Sequence, residues 1–419
     1  MPHTEFLDVS SLGSSDLRGE LSISRIKPLT RIHILGAGNT GRFVAHALAG
    51  IPDRPPITLI FRGATMLSRW KERGCSIEVV TDGYGETRRG FDTEVLQPQE
   101  REPFPSTFGF SNGYFSSADQ QSDSNASLVE PDDSEKIHQL ILSIKAPFVV
   151  KALSQVAHRL SRESTILFFP NGMGVLDEVN KHVFPDESKR PTYVNGLFTH
   201  MLQASDSDSF AVVHAGMGTI ALGILPRHTM LKSWTESDMI SRLSPSARYL
   251  VRSLTRIPVL AAVGFAPTDM FQLLVEKLIV NAVIGPLTVV FNCSNGELLH
   301  NKSITKVIRL LIAEISLVVR SLPELQGVPN VTMRFAPERL EALVVNNCIT
   351  TPEYTSPMLR DIKVAMLTEI EYLSGYIVRR GEELGIKCLM NYIVLHIVKG
   401  KGILQSKRNS QLLPVEYDV

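Results

Sequence analysis

The chain has 419 residues, 43% of them apolar and 21% charged, a length that suggests two domains and a composition ordinary for a soluble protein. Lys+Arg and Asp+Glu each number 43, so the formal charge is zero and the overall balance gives no pull toward nucleic acid or an anionic membrane. Four widely separated cysteines, Cys75, Cys293, Cys348 and Cys388, form no C-x-x-C pair; near apolar runs they read as buried free thiols in a reducing compartment, not as disulfides or zinc ligands.

Residues 1–30 mix Glu5, Asp8, Asp16 and Glu20 with few basic residues. They lack the apolar core of a signal peptide and the arginine-rich, acid-poor pattern of a presequence. They read as an N-terminal extension of a cytoplasmic protein, with a mitochondrial location as the alternative. A strand at Ile32–Leu35 then leads straight into Gly36-Ala37-Gly38-Asn39-Thr40-Gly41, followed by an amphipathic helix from Arg42 to Leu48. The three glycines serve different ends. Gly36 permits the tight turn, Gly38 the close approach of backbone to a pyrophosphate, and Gly41 the close packing of helix on strand. The helix start offers unpaired N–H groups to phosphate. Without such a ligand, the same run is only a tight turn.

The next strand, Ile57–Phe61, ends at Arg62, and no carboxylate lies between Ile57 and Trp70. A carboxylate there would suit the ribose of NAD; an arginine suits the 2′-phosphate of NADPH/NADP+. The alternative is that Arg62, with Arg69 and Lys71, is a solvated surface group. Further strands are expected at 75–79, 139–144, 164–169, 192–196, 211–214 and 220–223, the last two as a hairpin across residues 215–218. A polar insertion covers about 85–135, irregular over Ser111–Ser134. A helix near 238–253 and a strand near 259–263 close the domain.

After Asp269 the hydrophobic period becomes helical, over 270–291, 302–322, 337–347, 358–384 and 388–399. Leu278–Phe291 is apolar but short, and reads as a buried core helix. The fold class is therefore an α/β Rossmann-like N-terminal domain followed by an all-helical C-terminal domain. Its parts are a nucleotide domain at 31–265, a helical substrate and dimerisation domain at 266–402 and a polar tail at 403–419, with a cleft between the domains for substrate.

Several runs carry a resemblance. Lys277-Leu278-Ile279-Val280-Asn281 leads through Gly285-Pro286-Leu287-Thr288 to Asn292-Cys293-Ser294-Asn295-Gly296-Glu297-Leu298. With Ser143-Ile144-Lys145-Ala146, Pro170-Asn171-Gly172-Met173-Gly174, Ser356-Pro357-Met358-Leu359-Arg360-Asp361 and Thr368–Gly375, these stand in the order of the ketopantoate reductase family and span about residues 31–400. The chain resembles that family. The resemblance implies NADPH-dependent reduction of 2-dehydropantoate to (R)-pantoate, with a homodimer through the helical domain and neither nucleic acid nor membrane as partner. It implies Gly36, Ala37, Gly38, Asn39, Thr40 and Gly41 at the phosphates, Arg62 at the 2′-phosphate, and Lys145 and Asn171 along the ribose and nicotinamide. Lys277 takes the catalytic lysine's place, Glu369 the carboxylate that organises it, and Asn281 and Ser356 the substrate contacts. Two positions depart from the pattern: Gly285 replaces a second asparagine and Pro357 a serine, with Ser356 beside it. Another small 2-ketoacid, or a non-catalytic binding or regulatory role, is therefore the alternative.

The residues themselves fit a reduction. A carbonyl oxygen gathering negative charge needs a nearby cation that delivers a proton. Lys277, Asn281 and Gly285 stand at i, i+4 and i+8, on one helix face. Desolvation lowers the pKa of Lys277 and Glu369 raises it again; its alternative is an ordinary lysine paired with Glu276 or Asp269. Asn281, among apolar neighbours, binds either substrate or a backbone carbonyl. Glu369, by spacing, reads as a solvated carboxylate on a mixed helix, and Asn171-Gly172 as a turn. His200 and His214 lack a partner at catalytic spacing and read as structural, and Met173 and Met217 as core filling.

Overall fold

The computed structural model describes residues 30–96, 135–205, 210–225 and 244–411. The strands are β1 (Ile32–Leu35), β2 (Ile57–Phe61), β3 (Ser76–Thr81), β4 (Tyr84–Arg89), β5 (Asp92–Val95), β6 (Gln139–Leu142), β7 (Thr165–Phe168), β8 (Thr192–Phe198), β9 (Met201–Ala204), β10 (Ala211–Gly216), β11 (Ile220–Ile224) and β12 (Ala262–Phe265). The nucleotide half also carries helices α1 (Asn39–Leu48), α2 (Ala64–Glu72), α3 (Val149–Val156), α4 (Val175–His182) and α5 (Pro245–Thr255). The second half is helical: α6 (Pro267–Phe291), α7 (Lys302–Ser321), α8 (Val331–Arg334), α9 (Pro337–Thr350), α10 (Pro357–Lys363), α11 (Ser374–Glu383) and α12 (Leu389–Gln411).

Eight strands form the main sheet in the order β12-β11-β8-β7-β6-β1-β2-β5, parallel except where β11 runs against β8. Its central strands are apolar because both faces are covered. Ile34, Leu59, Ile141 and Leu167 point to the side of α1 and α5, while Leu35, Ile60, Leu140, Leu142, Ile166 and Phe168 point to α3 and α4. The strand order reverses beside β1, the place where doubly wound sheets open a ligand crevice at their carboxyl ends. A second sheet, β4-β3-β10-β9, packs on the α1 side.

Several expectations are corrected here. The 211–214 and 220–223 strands are not a hairpin: β10 pairs with β3 and β9, whereas β11 joins β8 and β12 in the main sheet. The span 358–384 is two helices separated by a loop, because Ala365 takes φ +54 and the chain turns before the short 3-10 turn Ile370–Tyr372. The polar tail is helical to Gln411. The stretch read as insertion contributes β4 and β5, joined to the fold through the Asp82-Gly83 turn and β2. Ser111–Ser134 and the first part of the 238–253 helix lie outside the described residues. Of the cysteines, all free, Cys348 and Cys388 are buried, but Cys75 is exposed. Met217 is exposed too, so it fills no core.

Helix α6 is the axis of the helical half. Its Leu278, Ile279, Ala282, Val283, Ile284 and Leu287 are buried among side chains of α7, α9, α10, α11 and α12. Lys401 of α12 donates to the carbonyls of Val289 (2.6 Å) and Val290 (3.3 Å) at its C-terminal end.

Candidate active site

The phosphate end is built from β1 and α1. Gly36 holds φ +110, and a Cβ there would strike Ile144 and the Ser143 backbone. A Cβ on Gly41 would land on the Gly36 carbonyl oxygen and the Ser143 hydroxyl. Ser143 donates to that same carbonyl at 2.6 Å, tying β6 to the turn. Gly38 differs: it is exposed, and the nearest atom to a Cβ there is Ser143 O at 4.0 Å. Gly38 caps α1 with extended backbone and no side-chain cap, and the first turn holds no acid. An uncapped helix start with open space above a glycine fits a pyrophosphate. Asn39 accepts from Arg42 at 2.8 Å, and Ala37 and Thr40 are half-buried in the same turn. Arg62 stands exposed immediately after β2.

The catalytic end is assembled from both halves. Lys277, on α6, donates from Nζ to the Phe198 carbonyl at the end of β8, at 3.0 Å. Burial lowers its pKa to about 8, and the Glu369 carboxylate pulls upward against that. Neither Glu276 nor Asp269 takes it: Glu276 is held by Arg334 and Arg339, and Asp269 faces Gln272. Glu369 lies in the loop before the 370–372 turn, not on a helix. It accepts from the Ala146 backbone N–H at 3.0 Å and from Asn171 Nδ2 at 3.2 Å. Burial raises its pKa, with those hydrogen bonds and Lys145 opposing. Lys145 itself forms an ion pair with Asp361 of α10. Thus Lys277, Glu369, Lys145 and Asn171 form one cluster across the two halves.

The remaining residues divide. Asn281 is half-buried one turn beyond Lys277, and no hydrogen bond joins its carboxamide to another described residue. Ser356 is buried as the cap of α10: it accepts from Leu359 N–H at 3.1 Å and lies 2.6 Å from the Thr288 hydroxyl. Sequence reasoning missed Asp361, whose partner is 216 residues away. It also missed the mutual contact of His200, in the turn between β8 and β9, and His214 of β10, 3.1 Å apart; they have each other as partner. The Asn-Gly signal at 171–172 was a turn, and Gly172 is its left-handed residue at φ +88.

A parallel sheet with an open glycine turn at its switch point, facing a lysine and a carboxylate from a helical half, defines a two-domain dinucleotide-binding fold of oxidoreductase layout. Comparison with known proteins gives the family. Residues 32–227 match the model of "Ketopantoate reductase PanE/ApbA" and residues 269–402 that of "Ketopantoate reductase PanE/ApbA C terminal". The chain belongs to the ketopantoate reductase family, whose members are reductases of ketoacids. Among relatives, a probable 2-dehydropantoate 2-reductase of Schizosaccharomyces pombe is 23% identical over 88% of this chain and 96% of its own length. A ketoisovalerate reductase of Gibberella fujikuroi is 24% identical over 83% of this chain and 77% of its own. The fold is shared with D-mandelate dehydrogenase bound to NADH and anilino(oxo)acetate (TM-score 0.64, 19% identity, 90% of this chain and 99% of that one). It is shared equally with a ketopantoate reductase of Ralstonia eutropha (TM-score 0.63, 16% identity, 90% and 99%).

Proposed function

We propose that this protein reduces ketopantoate (2-dehydropantoate) to (R)-pantoate with NADPH, a step toward pantothenate and coenzyme A. The observation that carries the reading is that two buried groups of the helical half meet the nucleotide half side by side, Lys277 at the Phe198 carbonyl and Glu369 at the Ala146 N–H and Asn171, with burial lowering Lys277 to about 8 and Glu369 opposing. Gly36, Ala37, Gly38, Asn39, Thr40 and Gly41 would hold the pyrophosphate, Arg62 the 2′-phosphate, and Lys145 and Asn171 the ribose and nicotinamide side. The bound nicotinamide supplies the hydride.

The chain's own residues do the rest. Lys277 releases the Phe198 carbonyl and turns its ammonium to the ketone oxygen, stabilising the developing charge and delivering the proton. Glu369, fixed by Ala146 N–H and Asn171, keeps that lysine charged. Asn281 orients the acid from the same helix face. A second reading, another small 2-ketoacid, is favoured by the missing side chain at Gly285 and the engaged hydroxyl of Ser356.

The test is consumption of NADPH and, in parallel, NADH with ketopantoate as substrate. Turnover with a clear NADPH preference is expected, with Lys277→Ala lowering kcat by about 10²–10⁴. Unchanged turnover in Lys277→Ala would reject the assigned acid.

A further inference from the structure

The carbonyl that receives Lys277 ends β8, and the two residues after it are tied down on several sides. Thr199 is bound to Thr219 through backbone and side chain alike. Its N–H and its hydroxyl each donate to the Thr219 carbonyl at 3.0 Å, and Thr219 N–H donates to Thr199 Oγ1 at 2.8 Å. His200 is buried and makes three contacts of 3.1 Å: Nδ1 with Gly218 N and with His214 Nε2, and Nε2 with the Leu260 carbonyl. Phe43 of α1 packs on both imidazoles, with ring centroids 5.2 Å from His200 and 4.7 Å from His214.

These contacts allow His200 one protonation state. The Gly218 N–H can only donate, so Nδ1 carries no proton; the Leu260 carbonyl can only accept, so Nε2 carries it. His214 then gives its own Nε2–H to the same Nδ1. A second proton on His200 would set an N–H against that of Gly218, whatever His214 does. Burial holds both imidazoles below their usual value. The Leu260 carbonyl opposes this at His200 and His214 adds to it, while the Gly216 backbone and Asp82, in the β3–β4 turn, oppose it at His214. From the other elements α1 presents Phe43, the 258–260 turn presents the Leu260 carbonyl, and α6 brings Lys277 to the Phe198 carbonyl two residues away.

We infer that His200 is a positioning residue for Lys277: neutral, with its proton on Nε2, it ties the end of β8 to the Gly218 turn and to Leu260, and so fixes the Phe198 carbonyl on which the lysine ammonium rests. A carbonyl oxygen held against an ammonium favours the charged form. The tie therefore keeps Lys277 protonated as well as aimed. The inference rests on the reading of Lys277 as the acid of a ketoacid reductase and adds to it a residue that touches neither substrate nor cofactor.

The experiment follows the acetylation rate of Lys277 by acetic anhydride against pH, read by peptide mass spectrometry in the substrate-free protein. The native midpoint should lie near 8. His200→Ala frees the strand end and should lower the midpoint by about one pH unit, the worth of one hydrogen bond to a charged group. His200→Asn keeps an acceptor at the Nδ1 position and should hold the midpoint within about 0.3 unit of the native one. With ketopantoate and NADPH, His200→Ala should lose about tenfold or more in kcat, and His200→Asn should recover most of it. A destabilised strand alone would lower the melting temperature without moving the lysine. A folded His200→Ala with the native midpoint overturns the inference. Nitrogen NMR of the histidine-labelled native chain decides it independently should that variant not fold, the His200 signal being the one lost in His200→Asn: the Nε2–H tautomer near pH 7 is expected, and a proton on Nδ1 overturns it. Loss of turnover with every 2-ketoacid, beside the expected labelling shifts, would remove the reductase reading and leave the positioning of Lys277 intact.

Discussion

Lys277 has to carry its proton to act as an acid, and its surroundings set the pH at which it does. Burial brings it from 10.5 to about 8, with Glu369 as the opposing, raising influence. Below about pH 8 the ammonium is present; above it the protonated fraction falls tenfold per pH unit. Ketoacid reduction should therefore lose kcat/KM on an alkaline limb with its midpoint near 8. Glu369→Gln keeps the shape but removes the negative charge. Without that upward pull the pKa of Lys277 drops further, so the limb should move to lower pH. A pH–rate profile of the two proteins checks this, and an unmoved limb would separate Glu369 from the lysine. Lys277 and Asn281 stand out in the sequence because polar groups interrupt an apolar helix at a four-residue spacing. Glu369 does not: it sits among polar residues, and only the fold brings the Ala146 N–H, 223 residues away, to its carboxylate. Asp361 is hidden for the same reason, beside Arg360 in sequence but paired with Lys145 in space.

At the scale of elements, the strand-turn-helix unit was legible because two of its glycines, Gly36 and Gly41, are forced by contact and Gly38 stands open. Gly41→Ala should push α1 off β1, since the added methyl meets the Gly36 carbonyl and the Ser143 hydroxyl. The expected result is NADPH binding weakened tenfold or more, by about 1.4 kcal/mol or above, in a fluorescence titration. Gly63→Ala, where a Cβ meets nothing within 4 Å, is the control and should change stability by less than about 0.5 kcal/mol. The helix α6 holds a less visible device. Pro286 has no N–H, so the Ala282 carbonyl loses its helical partner, and the buried Ser374 hydroxyl donates to it at 3.4 Å instead. Ser374→Ala should cost about 1 kcal/mol in urea unfolding without changing the m-value. The hairpin expected across 215–218 failed because local pattern says nothing of sheet membership. Gly218 passes so close over Thr199 and His200 that the two flanking strands divide between sheets. The single helix expected over 358–384 failed because its break falls on Ala365 and Leu373, with no glycine or proline until Gly375.

For the whole molecule, the nucleotide and helical halves meet along a seam that also builds the site, so stability and catalysis are coupled there. Gly172 presses against the Tyr372 carbonyl and Met173 N–H donates to that carbonyl at 2.8 Å. The Tyr372 hydroxyl returns to Glu178 of α4 at 2.7 Å. Asn171, next to Gly172, reaches Glu369, three residues before Tyr372. A displacement at Gly172 is thus transmitted to the carboxylate that faces Lys277 through Asn171 on one side of the seam and the 370–372 turn on the other. Gly172→Ala combines a φ of +88 with a methyl directed at the Tyr372 backbone, where no flexible side chain can yield. It should lower kcat/KM for the ketoacid about tenfold or more and shift the alkaline limb of the pH profile toward that of Glu369→Gln, because Glu369 is displaced from its lysine. Tyr372→Phe removes only the hydroxyl bond to Glu178, should cost about 1–2 kcal/mol of stability, and should leave the limb near 8. If Gly172→Ala lowers thermal stability as Tyr372→Phe does but keeps the native pH profile, the seam holds the halves together without setting the charge state of the site.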